Sequence, residues 1–126
     1  MKTKLSVVLL IAVIVVAIAG FYIYTIKAYY PPLPVEGLSK RDAVALLNEE
    51  EGGLVKLHED HQYIWYGYKG NQLDASKALI NEMKIKQWTY KDQMGAGYFF
   101  VDEAKEERII TSQMWTSKFV LFKVSL

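Results

Sequence analysis

The sequence predicts an α+β fold: a single N-terminal transmembrane helix followed by a small domain of two helices and an antiparallel sheet, in the order α-β-β-α-β-β-β-β. Three observations carry this expectation. Residues 5–26 contain no charged side chain. Two later stretches place apolar residues at helical spacing. The remainder falls into short runs of branched and aromatic residues separated by polar or glycine-bearing corners, the pattern of strands. With 126 residues there is room for one such domain. We divide the chain into an anchor at 1–28, a Tyr- and Pro-rich juxtamembrane spacer at 29–37 and an extracytoplasmic α+β domain at 38–126.

The anchor, LSVVLLIAVIVVAIAGFYIYTI, is interrupted only by Ser6, Gly20 and Thr25. As a helix it would extend roughly 33 Å, enough for a hydrocarbon core of about 30 Å. A cleaved secretory signal is the alternative, with Lys2 and Lys4 as its basic region and Ala17-Ile18-Ala19 as a small-x-small cleavage site. Cleavage near Ala19 would release a secreted domain. Against it, no polar region precedes that site, and the apolar character continues through Phe21-Tyr22-Ile23-Tyr24. A retained, single-pass anchor is therefore the expectation.

Orientation follows Lys and Arg near the ends of a span. Here Lys2 and Lys4 nearly balance Lys27, Lys40 and Arg41. A short basic N-terminus joined directly to an apolar segment is nevertheless the export arrangement, which leaves the N-terminus in the cytoplasm and the domain outside. Tyr22, Tyr24, Tyr29 and Tyr30 would then supply the outer aromatic belt.

The chain has no cysteine, which excludes disulfides, cysteine nucleophiles, thiolate metal sites and lipid attachment through sulfur. Small exported animal domains lean on disulfides, so a cysteine-free exported domain points to a bacterial envelope. From residue 31 onward there are 12 Lys and Arg against 14 Asp and Glu, with the signs interspersed. No basic stripe is present to neutralise a run of phosphates, and no nucleic-acid partner is expected.

Three prolines within residues 31–34 forbid a continuing helix and favour an extended, semi-rigid spacer that would set the height of the domain above the bilayer. Ser39 with Asp42 resembles a capping box, and Ala43, Val44, Leu46 and Leu47 give the following helix an apolar stripe. Gly52-Gly53 stop it. The acids Glu49-Glu50-Glu51 fall at the negative end of the helix dipole, so the helix should finish by about Asn48 and the acids form a solvated turn.

Residues 54–57 and 62–68 read as strands. Asp74 is the expected N-cap of a helix at 75–86, whose stripe is Ala75, Ala78, Leu79 and Met83. In residues 88–94 the alternation of Trp88, Tyr90 and Met94 with Thr89, Lys91 and Gln93 predicts a half-buried strand. Gly95-Ala96-Gly97 turns the chain into a strand at 98–102, and residues 108–115 and 119–124 close the sheet. Both helices are expected on one face of it.

Chemistry is sparse. No catalytic residue, cofactor fingerprint or phosphate loop is legible, since Gly95-Ala96-Gly97 leads into a strand rather than a helix N-terminus. His58-Glu59-Asp60-His61 holds both histidines of the chain, but they lie three apart at a strand end, not one helical turn apart as in a zinc protease site. A turn could bring His58, His61 and Asp60 together as a metal-ligating set; the plainer expectation is a hairpin corner.

The strand that follows is aromatic on both faces, with Tyr63 and Trp65 on one side and Ile64, Tyr66 and Tyr68 on the other. If one face stays uncovered, these rings with Trp88 and Trp115 would form a platform for cell-wall glycan or peptide. The leading functional expectation is a non-enzymatic, membrane-anchored accessory module that binds or modulates another envelope protein.

Overall fold

Helix α1 runs Lys2–Ile26 in the computed structural model, which describes residues 2–50 and 52–126. None of its residues is buried. It is long and apolar enough to cross a membrane, a property that retained anchors and signal sequences share. The helix ends at Lys27, whose φ of 59° is left-handed and cannot continue it.

The predicted order of elements is the one observed. Helix α2 spans Lys40–Glu49, and the Ser39 side chain accepts from the Asp42 N–H as its N-cap. Strands β1 (Val55–Glu59) and β2 (Tyr63–Lys69) form a hairpin, and α3 (Gln72–Ile85) follows. Strands β3 (Thr89–Met94), β4 (Gly97–Val101), β5 (Glu107–Thr116) and β6 (Phe119–Ser125) then run as a meander. Every neighbour is antiparallel, in the spatial order β1-β2-β6-β5-β4-β3. The last strand is thus inserted beside β2 and joins the hairpin to the meander.

Side-chain alternation along these strands divides the core in two. Tyr66, Tyr68, Tyr98, Phe100, Ile110, Val120, Phe122 and Val124 meet Ala75, Leu79 and Met83 of α3. On the other side Trp65, Leu57, Trp115, Phe119 and Leu121 meet Ala43, Val44 and Leu47 of α2. The helices therefore lie on opposite faces, not on one face as expected. Gly67 allows α2 its close approach: a Cβ there would stand 2.4 Å from Leu47 Cδ2.

Three further differences matter for function. The segment read as a spacer is docked on the domain: Val35 is buried in the α2-side core, with Tyr30, Leu33 and Leu38 packed against it. Strand β3 is exposed at all six positions rather than half-buried, because it is the sheet edge and a bulge between Tyr90 and Asp92 interrupts its alternation. Asn71, not Asp74, caps α3; its side chain accepts from the Asp74 N–H at 2.8 Å and donates to the Asp74 carboxylate. Of the acid run after α2, Glu50 is the C-cap and Glu51 lies outside the described residues.

Candidate functional site

The histidine corner is built by Asp60. Its Oδ1 accepts from the backbone N–H groups of Gln62 and Tyr63, both at 2.8 Å, while its own N–H donates to the Tyr63 carbonyl. These bonds close the β1–β2 turn as an Asx-type hairpin corner. They also hold the Asp60 carboxyl below its ordinary pKa, with the positive character of His58 and His61 adding smaller contributions.

The two histidines diverge in environment. His58 pairs with Trp65 in the ladder, and its ring lies against Gly37, where a Cβ would be 3.4 Å from the imidazole carbon Cε1. His61 stands exposed at the tip of the turn. Among the described residues no group of three or more His, Asp or Glu side chains could hold a metal ion. The corner is a structural turn in which Asp60 already serves the backbone.

Beside it lies a notch of about 180 Å³, lined by Pro34, Glu36, Asp60, Tyr63, Trp65 and Lys123. Lys123 sits directly opposite Trp65 on β6, and its ammonium is 3.8 Å from the Tyr63 ring centroid and 5.6 Å from that of Trp65. The rings hold the cation by their negative faces. The notch offers one ammonium and two carboxylates, but no nucleophile with an adjacent base. Sequence reasoning overlooked Lys123; the signal was a single cation inside the apolar run VLFKV.

The aromatic residues do not assemble into an open platform. Trp65, Tyr66, Tyr68 and Trp115 are all buried, which withdraws them from direct stacking on a sugar ring. The Tyr66 hydroxyl accepts from the Lys86 ammonium at 2.6 Å. Trp88 is half-buried beneath the Arg108 guanidinium, 4.5 Å from its ring. Tyr63 is also half-buried, under Lys123.

The open apolar surface lies elsewhere. Helix α2 packs chiefly against the β1–β2 end of its face of the sheet, with Trp115, Phe119 and Leu121 completing that core. Across β3, β4 and β5 the same face carries Met94, Phe99, Val101 and Ile109, because Tyr98, Phe100 and Ile110 point to α3 and their neighbours must point away. Met94 is 68% exposed and Ile109 47%, with Phe99 and Val101 half-buried between them. A Lys91–Glu107 ion pair at 2.7 Å borders the patch. Beyond it runs the unpaired edge of β3.

No known protein family, characterised protein or solved structure matches this chain.

Proposed function

We propose that this chain is a non-enzymatic, membrane-anchored module whose domain lies outside the cytoplasm and binds another protein of the cell envelope. The observation that carries the reading is the uncovered half of the sheet, where Met94, Phe99, Val101 and Ile109 remain open while α2 covers the other half. A contiguous apolar surface rimmed by polar side chains is the usual mark of a protein contact. The exposed edge of β3 adds unpaired backbone donors and acceptors, which an extended partner segment could extend as a further strand.

The anchor suits this role. Because residues 30–38 pack on the domain, the open patch is held at a fixed distance from the end of α1 instead of swinging on a tether. A partner embedded in the same membrane would meet it at one height.

The test is photo-crosslinking in native membranes with the probe at Ile109 of the full-length chain. One dominant adduct, absent when the probe replaces the exposed Lys77 on α3, is the expected result. A smear of adducts, or the same products from both positions, would count against the reading. Protease accessibility on whole cells, in the same preparation, tests the placement of the domain.

A further inference from the structure

We propose that the groove between the end of α1 and the outer side of α2 binds the phosphate headgroup of an anionic phospholipid. The groove measures about 420 Å³, and Phe21, Tyr24 and Lys27 face Arg41, Val44 and Asn48 across it. Its two cations have no carboxylate among the lining residues. Among the described residues Arg41 makes no ion pair, and the Lys27 ammonium meets aromatic rings, 4.1 Å from that of Tyr24 and 6.0 Å from that of Tyr29. Two cations are thus collected in one concavity without internal compensation.

The order of residues along the groove follows the polarity of a lipid. Phe21 precedes Lys27 by six positions, so it lies about 9 Å farther down the helix axis. With α1 in a bilayer, Phe21 meets the upper acyl chain where Lys27, Arg41 and the Asn48 amide meet the headgroup. A guanidinium presents paired donors that match phosphate oxygens, while the ammonium adds a movable point charge. Cations at this depth are drawn to anionic lipid.

The groove is held in shape by contacts outside it. The Trp115 indole donates to the Pro31 carbonyl, and the Lys40 ammonium donates to the Tyr30 carbonyl at 3.0 Å, so the start of the link is tied both to β5 and to the first residue of α2. Lys40 is used in building the link; Lys27 and Arg41 remain for a ligand.

This inference rests on the reading that α1 stays in the membrane, and the experiment separates the two. The full-length chain is reconstituted in nanodiscs containing a minority of phosphatidylglycerol in phosphatidylcholine, and the lipids retained on release are counted by native mass spectrometry. Phosphatidylglycerol is expected severalfold above its share of the bilayer, falling to that share in the Lys27→Gln/Arg41→Gln variant and unchanged in Lys77→Gln. Bulk-share lipid on the wild-type chain, or enrichment that survives the double substitution, overturns the site while leaving the anchor standing. Excess inorganic phosphate should leave the lipid bound; its displacement would overturn a lipid site in favour of a simple anion site. Recovery from cell membranes of a chain lacking residues 1–19 by intact mass would overturn the anchor and the site together.

Discussion

The Trp115 indole N–H donates to the Pro31 carbonyl oxygen at 2.9 Å, across 84 positions of the chain. Tyr30 stacks on the same indole with centroids 5.2 Å apart, and Phe119 packs against both rings, 5.9 Å from the indole and 6.4 Å from Tyr30. The segment that follows α1 is thereby joined to the end of β5. The mutual contacts of these three rings and one hydrogen bond turn a proline-rich exit into part of the domain.

Trp115→Phe keeps an aromatic ring but removes the donor, and the Pro31 carbonyl must then find water. We expect a loss of about 1 kcal/mol for the hydrogen bond, against roughly 3–5 kcal/mol for Trp115→Ala, which also leaves a cavity. Chemical denaturation of the full-length chain in detergent measures both. Limited proteolysis should show residues 29–37 becoming cleavable in Trp115→Ala before the sheet is attacked. Unchanged protection would mean that the exit segment is held by other contacts.

Gly67→Ala tests how closely α2 seats on the sheet. The new methyl would stand 2.4 Å from Leu47 Cδ2 and 3.0 Å from Leu57 Cδ1, and Leu47 is fully buried. Leu47 must then change rotamer or α2 must lift, an overpacking cost of roughly 1–3 kcal/mol. The same unfolding measurement should show it. A neutral result would mean that α2 slides on the sheet without loss.

These contacts explain which features were legible in the sequence. The two faces of β2 could be read because a strand alternates with period two: Tyr63 and Trp65 fall on one face and Tyr66 and Tyr68 on the other, as expected, the first meeting α2 and the second α3. An apolar stripe records only that a helix has a buried side, so Val44 and Leu79 could not reveal that their helices take opposite faces. Alternation misled at β3, because Trp88 precedes the strand and the bulge after Tyr90 breaks the period. Proline composition signals extended backbone; docking of Tyr30 depends on Trp115, which lies too far along the chain for any local pattern to connect. The open patch was hidden for a similar reason. Phe99 and Ile109 become neighbours through strand pairing, and their exposure depends on where α2 stops.

Asp60 should titrate below 3.8, the ordinary value, because two backbone N–H groups stabilise its carboxylate. A carboxyl whose folded pKa is depressed contributes stability above its unfolded pKa and loses it as pH falls through the folded one. The difference in stability between wild type and Asp60→Ala is therefore expected to be full above about pH 5 and to close in acid. Carbon-detected NMR titration of the Asp60 side chain reads the pKa directly. Since the backbone bonds are the larger cause, His58→Gln with His61→Gln should move it less than a change that opens the turn. A midpoint at or above 3.8 would contradict the hydrogen-bonded corner.

Strand β3 combines an unpaired edge with a neighbouring apolar face, and such edges invite pairing with a second copy. Lys91 and Asp92 stand in the middle of that edge, and Lys91 is held across β4 by Glu107. Charges at these positions make edge-to-edge association of two copies costly, because each must be stripped of water or set against its own kind. Lys91→Val with Asp92→Thr removes them while raising strand propensity. Concentration-dependent self-association should follow, seen as higher-mass species by light scattering at detergent concentrations where the wild type is a single species. The adduct from a probe at Ile109 should shift toward a crosslinked dimer of the chain at the expense of the proposed envelope partner. If the double variant stays as monodisperse as the wild type, edge charge is not what keeps β3 unpaired.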